Sequence, residues 1–349
     1  MLNYVIYIYL MSTTLNILQA NHGDAFIFEC EKDGDSFVIV IDSGPKICKS
    51  KIVSIIQRLS KIDLLVLSHY DEDHISGYIE YFKKFQDDAL KIKEYWCNCA
   101  NQIEVEQKAT ISAYSNAKTF ADCLRQMSKE YPDIKWIELI EAGHLYHNRF
   151  VDIEVLAPSD AALTLNRNKY ITSEYPAITY SRVREDLKVP LKELAQRPTP
   201  HTTQIVNNAS IAFILKSQEK SYLMLGDVMP DDIVNYLVSK GYSENYPLKV
   251  DFMKVSHHGS RYNTSNKLLE IIKCNNYIIS TNGGRASTIH PDRETIAKLL
   301  YHPHRSMEET VHLYFNYKLD ELQKHNAVLF NVGEIEAANC IIHEEELKL

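Results

Sequence analysis

Residues 61–85 read KIDLLVLSHYDEDHISGYIEYFKKF, and they decide the fold class. IDLLVL is apolar at every residue but Asp63, the pattern of a strand covered on both faces. ISGYIEYFKKF then brings its apolar residues round at helical spacing. Strand, short loop and helix make the βα unit of an α/β protein. The loop between them carries His69, Asp71, Asp73 and His74. It lies at the C-terminal end of a buried strand, where ligands sit in open α/β sheets.

Working outward, residues 15–44 (LNILQANHGDAFIFECEKDGDSFVIVIDSG) are β-branched and aromatic runs broken by Gly-Asp and Asp-Gly turns, which predicts hairpin strands. Residues 94–135 are mostly helical in tendency, and WIELI and FVDIEVLAP read as strands flanking EAGHLYHN. A polar stretch at about 159–203, with a short helix in VREDLKVPLKELAQ, is read as an insertion. Strands and helices then alternate. SIAFIL and YLMLGD form a hairpin, DDIVNYLVSKG a helix, DFMKVS a strand, NKLLEIIKC a helix, YIIS a strand and HPDRETIAKLLY a helix. This inventory predicts an α/β fold with two sheets face to face and helices outside, a four-layer αββα sandwich forming a single domain over residues 12–349. The C-terminal extension from about 302 to 349 predicts two strands, one of them AVLFNVG, and a charged tail. His302 and His304 are kept out of the site. MLNYVIYIYLM reads either as an extra strand or as a leader upstream of a start at Met11.

The chain has 349 residues, 45% hydrophobic and 24% charged, a balance that excludes collagen-like and wholly disordered classes. Lys plus Arg number 38 against 46 Asp plus Glu, a net charge of -8. That argues against a passive nucleic-acid coat but not against an enzyme with a local cationic site. Seven cysteines without a CxxC pair predict reduced thiols and a cytoplasmic location, and no stretch is long enough to span a membrane.

Residues i and i+2 of an extended segment share a face, so His69 and Asp71 suit one ion, and Asp73 and His74, on the turn into the helix, a second. Imidazole with carboxylate favours Zn²⁺, and the paired aspartates admit Mn²⁺. Acidic residues also gather at helix N-termini. That accounts for Asp73 but not for two histidines. Asp227 ends YLMLGD, where it either bridges two ions or caps the helix beginning near Pro230. In KVSHHGS, strand alternation admits one histidine to the site. His257 is the expected ligand, and His258 a proton donor or a support behind a ligand.

HYDEDH, LMLGD and KVSHHGS, in this order, resemble the metallo-β-lactamase fold, and within it the ComEC-type competence-protein hydrolases. LQANHGDAFIFE resembles the family's opening strand, VIVIDSG its Asp-ending second strand, NNASIAFIL its Asn-Ser strand, SHHGSRYNTS its closing site loop, and His290-Pro291 its His-Pro after the last core strand. The resemblance spans about residues 15–300 with 160–203 unmatched. Two departures stand out. Asp71 replaces the second His of the wider HxHxDH pattern, and Asn207 or Asn208 stands where a third His is expected. His144, His147 and His201 are substitutes for it only if they are not solvated loop residues. The family places Asp24 and Asp42 beside the metals, Asp42 as a carboxylate orienting a ligand histidine, though either also suits a turn.

The resemblance implies two divalent ions, Zn²⁺ first and Mn²⁺ second, that acidify a water and neutralise an anionic centre, the logic of phosphodiester hydrolysis. Asp227 bridges, Asp73 positions the water and His258 or His290 protonates the leaving oxygen. Asn208, Ser260, Arg261, Asn263 and Ser265 hold the phosphate. RYNTS reads equally well as a helix entry capped by Thr264. The implied activity is that of a phosphodiesterase or nuclease acting on nucleic acid or another phosphodiester, away from membranes. The alternatives are hydrolysis of a small ester, lactone or thioester, and a sensor or effector subunit that needs partner proteins of an antiviral, defence-type operon.

Overall fold

The alternating runs near the N-terminus form an antiparallel meander of β1 (Ser12–Ile17), β2 (Phe26–Lys32) and β3 (Asp35–Ile41), with Lys32 opposite Asp35 across the Asp33–Gly34 turn. The wholly buried β4 (Leu64–Val66) adds parallel to β3, followed by β5 (Glu94–Trp96) and β6 (Lys135–Ile137). These coordinates are a computed structural model, which describes residues 11–85, 90–98, 112–164, 186–200, 207, 209–218, 220–284, 289–302, 304–325, 328–345 and 347–349.

In the second sheet β7 (Leu145–His147), β8 (Asp152–Ala157), β9 (Ala212–Ser217) and β10 (Lys220–Met224) pair antiparallel. It continues in parallel through β12 (Phe252–Lys254), β14 (Asn276–Ile279), β15 (Val311–Phe315) and β16 (Cys340–Glu344). β11 (Leu248–Lys249) and β13 (Ile272–Lys273) pair with each other, and β17 (Leu347–Lys348) returns to the first sheet beside β1.

Strand alternation builds the layers. Phe28, Ile39, Leu64 and Trp96 of the first sheet meet Ile153, Phe213, Tyr222 and Ile278 of the second in a core between the sheets. Their neighbours Ile27, Val40, Leu65 and Tyr95 face outward to α1 (Lys49–Arg58), α2 (Glu72–Lys84) and α3 (Ser112–Glu130). On the other outer face, Ile214, Leu223, Met253 and Tyr277 pack under helices Pro230–Ser239, Asn266–Glu270 and Arg293–Tyr301. This is the α/β four-layer αββα sandwich that the sequence implies.

Several elements differ from expectation. The helix in NKLLEIIKC stops at Glu270, and Ile272–Lys273 leaves it for β13, as β-branched neighbours favour. EAGHLYHN contains a strand of its own, β7. Pro190 divides VREDLKVPLKELAQ into a 3₁₀ turn, Asp186–Lys188, and the short helix Leu191–Leu194. Residues 328–333 of AVLFNVG form no strand, since Leu329 and Phe330 are buried in sequence and Val332 is exposed. The charged tail instead supplies β16 and β17. Cys30, Cys48, Cys123, Cys274 and Cys340 are free, whereas Cys97 is disulfide-bonded. Cys97 thus departs from the expectation of reduced thiols. Residues 1–10 and most of the insertion lie outside the described residues.

Candidate metal centre

The candidate ligands gather on one rim because the strands that carry them end there. β3 runs into Asp42, β4 into Ser68–His74, β10 into Asp227, β12 into Lys254–His258 and β14 into Ser280. Four ring nitrogens meet one carboxylate oxygen. Nε2 of His69, His74, His257 and His258 lie 3.8, 3.5, 3.7 and 3.8 Å from Oδ2 of Asp227. Asp71 flanks this group at 3.6 Å from His69 Nε2. Asp73 flanks it on the other side, 3.9 Å from His74 Nε2 and 3.4 Å from His258 Nε2.

Capping does not explain these carboxylates. Met229, not Asp227, is the N-cap of the Pro230–Ser239 helix, and Asp71 occupies the N-cap of α2 without a side-chain capping bond. Nor does strand alternation govern the adjacent histidines. His257 and His258 have φ of 49° and 55° in a left-handed turn that Gly259 continues. Both rings therefore come inward, which corrects the expectation of one. Left-handed backbone costs about 1–2 kcal/mol per non-glycine residue.

Hydrogen bonds behind each ring aim it. Asp42 accepts from Ser68 N at 2.7 Å, Ser68 Oγ at 2.6 Å and His74 Nδ1 at 2.8 Å. With its proton given to Asp42, the Ser68 hydroxyl accepts from His69 Nδ1 at 3.1 Å. His258 Nδ1 donates to the Ser280 carbonyl at 2.8 Å. Asn263 Nδ2 donates to the Asp227 and Val228 carbonyls at 3.0 and 3.2 Å, so its Oδ1 is the acceptor 3.1 Å from His257 Nδ1. In each neutral ring the proton sits on Nδ1, and Nε2 presents its lone pair towards Asp227. Nε2 of His69, His74 and His258 and Oδ1 of Asp227 are buried without a hydrogen-bond partner. Such orphans are rare. Imidazole nitrogens converging with carboxylate oxygens fit a divalent transition-metal ion, which satisfies them.

Asp24, His74, Asp227 and His258 offer ligand atoms within 4.8 Å of one another. Asp24 is nevertheless ion-paired to Lys254, a buried lysine that also donates to the Gly226 carbonyl at 2.8 Å and lies 3.6 Å from Asp227 Oδ1. Gly23 lets this loop press onto α2, since a Cβ there would stand 1.9 Å from the Asp73 carbonyl oxygen. Burial opposes every charge in the cluster, and the neighbours mostly overcome it. Desolvation pushes Asp227 up, but His257, His74, His258 and Lys254 hold it well below the carboxylate range. Asp24 and Asp73 are likewise lowered against burial, Asp24 chiefly by Lys254 and Asp73 chiefly by His74. Burial pulls His74 and His258 down, yet the aspartates raise His74 well above the imidazole range and His258 to about 10. His257 falls to about 4, because burial and repulsion by His290 and His258 exceed the pull of Asp227. Metal-free, the aspartates are thus balanced by Lys254 and imidazolium protons, and a bound cation replaces those protons.

The model of the Metallo-beta-lactamase superfamily matches residues 20–283. The chain belongs to this superfamily. Among solved structures it is similar to the metallo-beta-lactamase fold protein YhfI from Bacillus subtilis, at 11% identity and TM-score 0.43 over 97% of this chain and 99% of that one. Zn²⁺-bound PqqB from Methylobacterium extorquens matches at 9% identity and TM-score 0.42, covering 96% and 99%. Unliganded yeast PDE1 matches at 11% identity and TM-score 0.41, covering 96% and 98%. No curated protein matches the chain.

Around this metallo-β-lactamase centre, few of the candidate substrate-holding groups are free to reach a substrate. Asn263 is fully buried with both amide atoms committed to His257 and to backbone, so it orients the His257 ring and has no free amide atom for a phosphate. Ser260 is buried in the turn, accepting from Tyr262 N at 3.4 Å. Ser265 caps the next helix through Leu268 N at 3.1 Å, taking the place expected of Thr264. Arg261 keeps a part-exposed side chain beside the Tyr262 ring. His290 is buried, its ring 5.1 Å from that of His257 and its Nδ1 3.7 Å from Asp292. Asn207 touches His257 at Nδ1, 3.2 Å away, and so lies behind that ring. Asn208 and His201 lie outside the described residues. His144 packs edge-on against Trp96 and His147 pairs with Asp152 on exposed β7, which accounts for both without a metal. Sequence reasoning passed over Lys254, Ser68 and Ser280. The available signal for Lys254 was a lysine set within the apolar FMKV run.

Proposed function

We propose that the chain is a metal-dependent hydrolase that cleaves phosphodiester bonds, a phosphodiesterase or nuclease of the ComEC-type branch. The observation that carries this is the convergence of four Nε2 atoms on one oxygen of Asp227, flanked on either side by Asp71 and Asp73. His69, Asp71, His257 and Asp227 would hold one ion, and Asp73, His74, His258 and Asp227 a second, with Zn²⁺ preferred and Mn²⁺ accepted. Ions so held supply Lewis acidity and acidify water.

The chain's own groups complete the chemistry. Asp73, part-exposed at the rim, accepts a hydrogen bond from the attacking water and orients it. Arg261 pairs with a non-bridging oxygen of the diester. With both members of the histidine pair turned towards Asp227, His290 is left as the donor to the leaving oxygen, with Asp292 3.7 Å from its Nδ1. The net charge of -8 suits a confined cationic pocket better than a broad basic face.

Bis(p-nitrophenyl) phosphate, single- and double-stranded DNA and a neutral p-nitrophenyl ester, offered to Zn²⁺- and Mn²⁺-loaded protein, test this. Metal-dependent diester cleavage is expected, falling at least about 100-fold in Asp227→Ala and His257→Ala. Arg261→Ala is expected to lose diester cleavage and keep ester cleavage. Loaded protein that cleaves the ester and leaves every diester intact contradicts the proposal.

A further inference from the structure

We propose that Lys254 is a fixed internal cation that keeps Asp24 and one oxygen of Asp227 out of the metal ligand set. This rests on the metal-dependent reading above. Along β12, Met253 packs on the helix side and Phe252 between the sheets, so Lys254 projects between the sheets at the rim, 1% exposed. An ammonium has three donors and no acceptor. Three oxygens surround this one, from the Asp24 carboxylate, from the Gly226 carbonyl at 2.8 Å and from Asp227 Oδ1 at 3.6 Å.

Asp24 stands where a ligand would stand, its oxygen within 4.8 Å of the ligand atoms of His74, Asp227 and His258. Lys254 takes up that carboxylate. It also divides Asp227, whose Oδ1 faces the ammonium while Oδ2 faces the four imidazoles. Any shared ion contact is then limited to one oxygen, and a unit positive charge sits beside the cations. Both effects weaken metal binding. Both also leave the bound ions with fewer anionic donors and therefore more strongly Lewis-acidic, which suits attack at an anionic phosphodiester.

Metal affinity, read by competition with a chromogenic chelator, and the Co²⁺ absorption spectrum test this on wild type, Lys254→Arg, Lys254→Met and Asp24→Asn, with thermal melting to check that each variant folds. In Lys254→Met the Asp24 carboxylate and Asp227 Oδ1 are released beside the ions, and Zn²⁺ binding at least about tenfold tighter than wild type with an altered Co²⁺ spectrum is expected, while Lys254→Arg binds as wild type does. Asp24→Asn leaves the whole lysine charge on Asp227 and is expected to bind about tenfold more weakly with the Co²⁺ spectrum unchanged, since Asp24 is no ligand. This single variant decides the matter if Lys254→Met does not fold. Wild-type affinity and spectrum in folded Lys254→Met, or an altered Co²⁺ spectrum in Asp24→Asn, overturns the role of Lys254. Wild-type protein that takes up no metal overturns the metal reading, and this inference with it.

Discussion

His74 shows how one side chain is aimed by two others. Asp42 holds its Nδ1 at 2.8 Å while Ser68 fixes Asp42 through two further hydrogen bonds. Asp42→Asn puts an amide donor against donors already in place and loosens the ring. Metal affinity is expected to fall about 10–100-fold with the fold retained, the usual effect of removing such a support. An unchanged affinity in the competition assay would show that the ring is aimed by packing alone. The candidate ligands were legible in the sequence because His69, Asp71, Asp73 and His74 share one loop. Their supports were not, because His258 meets Ser280 across 22 residues and Lys254 meets Gly226 across 28. No local spacing encodes such contacts.

Two elements make quantitative predictions. The Ser256–Gly259 turn escapes a reading by strand alternation because β12 ends at Lys254, three residues before His257. Gly259 has φ 91° and abuts Pro291, whose Cβ would lie 2.5 Å from an added methyl. Gly259→Ala is therefore expected to destabilise the protein by about 2–4 kcal/mol in chemical denaturation, and an unshifted midpoint would show that the turn is not held this way. At the C-cap of the Arg293–Tyr301 helix, burial first, then His304 and Arg305, lowers the His302 imidazole to about 4. The unfolded chain binds that proton near pH 6.5 and the folded chain does not, so the contribution is fully present above about pH 6.5. It is lost as the pH falls from there to about 4, by about 3 kcal/mol. His302→Asn is expected to flatten this slope, and an identical pH dependence of stability in variant and wild type would contradict it.

At the scale of the whole molecule, two sheets with helices outside were readable from periodicity, because strands covered on both faces and helices with one apolar stripe leave few ways to stack. The closing of the sheets was not. β17 hydrogen-bonds beside β1, with Leu15 and Leu349 exchanging backbone bonds of 2.7 and 2.9 Å, yet EEELKL carries the composition of a solvated tail. Removing residues 345–349 bares the edge of β1. It is expected to lower the thermal midpoint while leaving metal affinity unchanged, since no member of the cluster lies there. Among the described residues no helix is long and apolar enough to cross a membrane.

On the proposed reading, the two sheets bring their strand ends together to build a centre for two divalent ions shared through Asp227. Metal content measured on folded wild type and on Asp227→Asn after loading with Zn²⁺ or Mn²⁺ and removal of excess ion tests it most directly. About two ions per chain in the wild type and at most about one in the variant are predicted. No bound metal in the wild type, or an undiminished content in the variant, would contradict it.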